Sequence, residues 1–317
     1  LITLTSTMTS KQAPGILIAA RHGERRDYIE RDAGGNWIPT TSRPWDPPLS
    51  DAGHEQVREL GRRVARSLRQ HNLPPVSFVY SSPLLRCCQT AAGAIVGLEE
   101  EGMTDGGRNL KIRIEHGVVE SLCEKWYRSW CLPGSDGTWG YCPPQSDLVV
   151  RGGSAASAWT VDVSTINPNA KVPAPELFLS PSDMEERLKG SCGEKVQTRS
   201  DGLIDMEYTT PVAPLSESFC WGKFESRKMQ LARAKNLTDK LAARHPNETI
   251  LLLSHGSPVT HMFEVISGED WTAHGVCGYA SFSTYVHEKS GDGEESIVWK
   301  EPVVINDSTH VLNKDSA

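Results

Sequence analysis

Two histidines of this chain sit in the same kind of place. His22 comes off the apolar run Ile16-Leu17-Ile18-Ala19-Ala20 within "ILIAARHGERRD", and His255 comes off Ile250-Leu251-Leu252-Leu253 within "TILLLSHGSPV". Arg21 and Arg25 flank the first histidine. Arg86 follows the apolar stretch "VSFVYSS" (76–82), and Glu120 follows "LKIRIEHG" (110–117). If these stretches are neighbouring strands, Arg21, His22, Arg25, Arg86, Glu120 and His255 share one pocket although they are distant in sequence. Crowded arginines repel one another unless a polyanion lies between them, and the planar guanidinium fork matches phosphate oxygens in pairs. The expected ligand is therefore a phosphoryl group. A neutral imidazole attacks phosphorus and divides one difficult displacement into two easier ones. A carboxylic acid protonates the departing oxygen and then activates water. A second histidine donates to the phosphoryl oxygens as charge spreads over them. The arginines bring the positive charge a metal ion would otherwise bring, so neither metal nor cofactor is expected. Glu24, Glu115 and Glu124 compete with Glu120 for the acid role.

The elements that must position these groups follow from periodicity. Residues 15–20 read as a buried strand. Residues 31–49 hold Gly34-Gly35, Pro39, Pro44, Pro47 and Pro48 and read as an irregular loop. Ser50 or Asp51 caps a helix in which Val57, Leu60, Val64 and Leu68 recur at three- and four-residue steps, and Pro74-Pro75 ends it. Residues 76–82 read as a second strand, Pro83 opens a helix running to about Val96, and 110–117 alternates as a third strand. A long helix is expected from Glu217 to about His245, then a strand at 250–253 and a short helix over "PVTHMFEVISG". Last strands are expected at 279–287 and 295–304. Strands alternating with helices indicate an α/β fold around a largely parallel sheet, with its ligand site past the carboxyl ends of the strands.

Composition sets the outer bounds. A chain of 317 residues that is 38% hydrophobic and 23% charged can build a core without disulfide or metal staples. The net charge of −7 excludes a broad nucleic-acid footprint, so any anion site must be a local cluster. The cysteines at 87, 88, 123, 131, 142, 192, 220 and 277 form no Cys-x-x-Cys pair, which argues against structural zinc. No apolar run approaches a membrane span. The opening "LITLTSTMTSKQAPG" lacks the basic start and long apolar centre of a secretory signal, so a cytoplasmic location with free thiols is expected. The chain does not begin with Met, which points to a fragment or an upstream extension. On that location, the sequons at Asn236, Asn247 and Asn306 are coincidental.

Taken together, "ARHGER", "PLSDAGHEQ", "VYSSPLLRCCQTA", "IEHGVVE" and "LLLSHGSPV" resemble, in this order, the motifs of the histidine phosphatase superfamily, also called phosphoglycerate mutase-like. The resemblance covers roughly residues 14–290. It implies a three-layer α/β/α sandwich with a mostly parallel central sheet. It implies that His22 is the phosphorylated nucleophile, that Arg21, Arg25, Arg86 and His255 line the phosphate pocket, and that Glu120 is the proton donor. Within the superfamily, "SSPLLRCCQTA", "LKIRIEHGVVE" with the following Lys125-Trp126, and "SESF" (216–219) resemble a particular branch. That branch comprises the C-terminal phosphatase domain of the suppressor of T-cell receptor signalling proteins and ecdysteroid-phosphate phosphatase. Cofactor-dependent mutases carry a small residue and then Asn after the first motif, where this chain has Arg25, Arg26 and Asp27. Secreted histidine acid phosphatases carry a Pro near the first motif and a distal His-Asp, where Asp27 and His255-Gly256 stand here.

The expected organisation is a mobile N-terminal segment at 1–13, one histidine phosphatase domain at 14–304 and a C-terminal tail at 305–317. An irregular lid or specificity insert is expected at about 123–214, because Pro, Gly and Ser are dense there. Its Trp126, Trp130, Trp139 and Trp159 would form loop anchors or a hydrophobic wall for an aryl or lipid-like phosphoester. Cys87 or Cys88, beside Arg86, would lie close enough to the pocket to make it oxidation-sensitive. The expected activity is metal-independent hydrolysis of a phosphotyrosine-like or small-molecule phosphomonoester through a phosphohistidine. The partners expected are a phosphorylated substrate and, from the resemblance, a second copy in a homodimer, with no nucleic acid and no membrane span. Alternative readings are a non-catalytic phospholigand-binding module and, less favoured, a phosphoglycerate mutase.

Overall fold

A computed structural model of the chain describes residues 13–35, 37, 40–41, 43, 46–120, 178–213, 225–275, 277–290 and 297–311. The central strands are β1 (Gly15–Arg21), β2 (Val76–Ser81), β3 (Ile112–Ile114) and β4 (Thr249–Ser254), which lie parallel in the order β3-β2-β4-β1. β5 (Phe282–Lys289) adds to β1 in the antiparallel sense and pairs in turn with β6 (Ile297–Trp299) and β7 (Val304–Asp307). Residues 16–20 of β1 and 250–253 of β4 are unbroken apolar runs because both faces of the sheet are covered there. On β1, Ile16, Ile18 and Ala20 enter one core while Leu17 and Ala19 enter the other, as the two-residue period requires.

Helices α2 (Asp51–Gln70) and α3 (Leu85–Glu100) pack on the first face, following the short α1 (Arg26–Asp32). Leu60, Val64 and Leu68 of α2 are buried as their spacing predicts, and Ser50 caps the helix by accepting from Gly53 N at 2.9 Å. The two helices cross closely because Gly61 lies against the Ala94 carbonyl and Gly97 against that of Arg58. A Cβ at either glycine would come within 2.2 Å of the opposing oxygen. The second face carries α6 (Arg227–Arg244) and α7 (Gly256–Ser267), with Leu237, Leu241, Met262 and Phe263 against Leu17 and Ala19. The result is a three-layer α/β/α sandwich whose sheet is mostly parallel.

Some elements differ from expectation. Residues 121–177 and 214–224 lie outside the described residues, and with them Trp126, Trp130, Trp139, Trp159 and Glu124. The described part of the stretch read as irregular carries α4 (Pro181–Ser191) and α5 (Glu194–Gln197). Met184 and Leu188 of α4 are buried in the α2–α3 core, and Ser180 caps the helix ahead of Pro181. The helix expected from Glu217 begins at Arg227, because Ser226 is extended and its side chain accepts from Met229 N. Strand β7 runs to Asp307 and so takes the sheet into the segment read as a tail. Among the described residues, no helix is long and apolar enough to cross a membrane.

Candidate active site

The order β3-β2-β4-β1 puts β4 beside β1 although 227 residues lie between the end of β1 at Arg21 and the start of β4 at Thr249, and this creates the site. From β1 the chain leaves toward β2, and from β4 it crosses to β5 on the far side of β1. Connections that depart in opposite directions open a crevice at the carboxyl ends of the two strands. Arg21 pairs in register with Ser254, so His22 and His255 are the next residues off adjacent strands. His22 N donates to Ser254 O at 2.9 Å, and the imidazole centroids stand 5.3 Å apart, edge to face.

Both rings are buried, and each has its tautomer set by its partners. His22 Nδ1 lies 2.7 Å from Gly23 O. A carbonyl only accepts, so Nδ1 carries the proton and Nε2 keeps its lone pair. His255 Nδ1 lies 3.1 Å from Arg86 Nη2, which only donates, so the proton of the neutral ring is on Nε2, 2.8 Å from Ser82 Oγ. Burial holds the His22 pKa well below its ordinary value, reinforced by the charges of Arg86 and Arg21. Burial does the same to His255, with Arg86 and then His22 adding to it. Both rings are therefore neutral near pH 7.

The arginines occupy three different situations. Arg86, in the first turn of α3, is 1% exposed, and its Nε and Nη1 meet no acceptor. Asp46, the carboxylate whose field it shares, instead accepts from Leu85 N at 2.8 Å and lies 3.5 Å from Arg43. Arg21 donates through Nη1 to Cys277 O at 2.7 Å, stacks on the Tyr279 ring at 4.3 Å, and leaves Nε unmatched. Arg25 points its fork at buried Asp27, with Nε–Oδ1 at 3.0 Å and Nη2–Oδ2 at 2.7 Å, and lies over the Tyr28 ring. Arg86 lies in the first turn of α3 and His255 is the N-cap of α7, so both helices add their positive ends to the same space.

Glu120 follows a 3-10 turn, His116–Val118, at the end of β3. Burial pushes the Cys87 and Cys277 thiols up, and the Glu120 charge adds to both, so Glu120 lies within electrostatic reach of these two cysteines. Two of the rival carboxylates, Glu115 and Glu24, are committed elsewhere. Glu115 accepts from Gly117 N, Ala213 N, Val212 N and Tyr208 Oη, and it serves as an internal cap. Glu24 accepts from Ser50 Oγ at 2.5 Å.

Of the expected group, the fold gathers Arg21, His22, Arg25, Arg86 and His255 around one crevice, with Glu120 in electrostatic reach of Cys87 beside His255. Three details differ from the sequence reading. Arg25 already holds a carboxylate, and both nitrogens of His255 have protein partners, so a bond from His255 to a phosphoryl oxygen requires one of these to yield. Cys87 and Cys88 are wholly buried, and burial raises both thiols, that of Cys88 to about 12. This removes the thiolate character an oxidation-sensitive cysteine needs. Sequence reasoning passed over Ser82, Tyr279 and Thr90. Thr90 Oγ1 accepts from Gly23 N at 3.1 Å and donates to Arg86 O at 2.7 Å, tying the His22 loop to α3. Its position one helical turn after Arg86 was the available signal.

Residues 17–105 match the family model described as histidine phosphatase superfamily (branch 1). The chain is 31% identical over 185 residues to human ubiquitin-associated and SH3 domain-containing protein B, covering 52% of this chain and 25% of that protein. It is 32% identical over 141 residues to mouse ubiquitin-associated and SH3 domain-containing protein A, covering 36% of this chain and 20% of that protein. The chain thus spans about a quarter or less of the length of the curated relatives it matches. Among solved structures, the ecdysone phosphate phosphatase from Bombix mori, in complex with tungstate, superposes with a TM-score of 0.52. The match is at 16% identity over 92% of each chain, a likeness of fold.

Proposed function

From a chain that carries the histidine phosphatase superfamily pattern, we propose a metal-independent phosphomonoesterase that works through a phosphohistidine on His22. The observation that carries this reading is the Arg86 guanidinium, buried at 1% exposure with Nε and Nη1 unmatched beside a neutral histidine. A buried cation with open donors is costly unless an anion completes it. A phosphoryl group between Arg86 and the open Nε of Arg21 supplies the missing acceptors.

In this reading the lone pair on His22 Nε2 attacks phosphorus in line with the ester oxygen. The P–O bond breaks, its electron pair goes to the leaving oxygen, and that oxygen takes the proton of the Glu120 carboxyl. Water then attacks the phosphohistidine and gives a proton to the Glu120 carboxylate. The P–N bond breaks, its electron pair returns to Nε2, and inorganic phosphate leaves. Arg21, Arg86 and, once Asp27 shares its fork, Arg25 hold the equatorial oxygens, and His255 completes the cage. The substrate class is a phosphotyrosine-like or small-molecule phosphomonoester. A cytoplasmic setting suits the free thiols Cys87, Cys88, Cys192 and Cys277.

Hydrolysis of p-nitrophenyl phosphate in EDTA by wild type and His22→Ala tests the proposal. Turnover in the wild type that is lost in the variant is expected. Turnover that needs added Mg²⁺, or that survives in His22→Ala, overturns it.

A further inference from the structure

The turn ahead of Glu120 is held by every carbonyl it presents. Ser254 Oγ, at the end of β4, donates to Val118 O at 2.6 Å. Arg233 of α6 donates through a single nitrogen, Nη1, to Gly117 O at 2.9 Å and to Val119 O at 2.8 Å. Its opposite edge grips Glu225, with Nε–Oε1 at 2.9 Å and Nη2–Oε2 at 2.6 Å. The turn reaches this guanidinium because residue 117 is glycine. A Cβ there would stand 2.7 Å from Ala213 Cβ and 3.0 Å from Leu237 Cδ1. Consecutive carbonyls 117, 118 and 119 are thus pinned from α6 and β4, and the next residue is Glu120.

We infer that Arg233 is a positioning residue for the Glu120 carboxyl, fixing by its bridge to Gly117 O and Val119 O where the leaving-group acid stands relative to His22. The inference builds on the reading of Glu120 as that acid. Its physical content is the geometry of the fork. One planar edge is committed to Glu225, so the guanidinium cannot rotate, and Nη1 offers its hydrogens in fixed directions to two carbonyls. An ammonium in the same place is a point donor on a pliant stem and cannot span both carbonyls while holding Glu225 through two bonds. A loosened turn leaves the phosphate pocket intact and misplaces only the proton.

That consequence separates positioning from simple bracing. p-Nitrophenolate leaves without help, whereas phenolate needs a proton in the transition state. We expect Arg233→Lys to lower kcat/KM less than about threefold on p-nitrophenyl phosphate and about tenfold or more on phenyl phosphate. The Ki of inorganic phosphate should hold within about twofold, reporting an intact pocket. Glu225→Gln, which frees the other edge of the fork, should reproduce the pattern at smaller amplitude and serves if Arg233→Lys does not fold. Glu120→Gln is run alongside. If Glu120→Gln discriminates between the two substrates and both fork variants do not, the inference is overturned and the acid assignment stands. If Glu120→Gln loses equally on both, the acid assignment fails and the inference falls with it.

Discussion

His22 and His255 leave adjacent parallel strands at the same level, and their rings meet edge to face with centroids 5.3 Å apart. The parallel register of Arg21 with Ser254 makes the pair, and burial, reinforced by the charges of the arginines around it, keeps both rings uncharged. In the proposed mechanism the two nitrogens nearest phosphorus therefore have opposite duties: one is a lone pair and the other belongs to a hydrogen-bonded cage.

Loss of the His22 lone pair should be near-complete. His22→Ala is expected to lower kcat by about a thousandfold or more while inorganic phosphate still binds, because the arginine donors remain. Isothermal titration with phosphate alongside turnover assays separates the two effects.

Arg86→Gln should cost about a hundredfold or more in kcat/KM, as loss of a buried donor to a developing anion does. It should also raise the His22 and His255 pKa values, since Arg86 is the foremost charge depressing each. Proton NMR of the imidazole resonances through a pH titration reads this directly. Unmoved His titrations would contradict the electrostatic account.

The same depression sets the acid behaviour. An ordinary histidine gains its proton near pH 6.5. His22 in the native protein does so only well below that, so kcat/KM should persist below pH 6.5. Stability should move the other way. Burial, with help from His245, pushes His287 down to about 4. Below pH 6.5 the unfolded chain takes up protons that the native state refuses, so stability falls as pH drops toward 4. His287 alone accounts for at most about 3 kcal/mol of that loss. Chemical denaturation at pH 7.5 and pH 5 measures it, and His287→Phe should flatten the slope if the ring fits.

Thr90→Val keeps the shape of the side chain and removes the acceptor of the Gly23 N–H. Leaving that buried amide unmatched should cost about 1–3 kcal/mol. Turnover should fall with it, because the loop it anchors carries His22. Thermal melts and kcat on p-nitrophenyl phosphate check both. Thr90→Ser, which retains the oxygen, should restore most of each.

Much of this arrangement was legible in the chain. The β1 and β4 sequences read as apolar strands, and each is followed within two residues by His-Gly. The helix at 51–70 announced itself through Ser50 and the spacing of Leu60, Val64 and Leu68. What could not be read were relationships between elements. That Arg25, at the crevice, already gives its fork to Asp27 depends on side-chain direction, which a spacing of two residues leaves open. That Arg233 reaches the turn before Glu120 depends on α6 packing against that turn and β1. Helix α4 was hidden for another reason. Its signals, a Ser180 cap followed by Pro181, lie within a region whose Pro, Gly and Ser content masked the short buried pair Met184 and Leu188.

The insertion of β4 between β1 and β2 also has a consequence in time. Strands β1 and β2 have no edge in common, and the strand that joins them ends at residue 254, long after β2 ends at residue 81. At roughly 5–20 residues per second, on the order of 10–30 s pass on the ribosome between the end of β2 and the arrival of β4. Throughout that interval the inner edges of β1 and β2 are open, apolar templates for pairing with another chain. His22 and Arg86 are already synthesised but lack the strand that brings His255 to them. The site is therefore born late and all at once. A nascent chain is exposed to misassembly before β4 emerges, and the pocket comes into being in the step that closes the sheet.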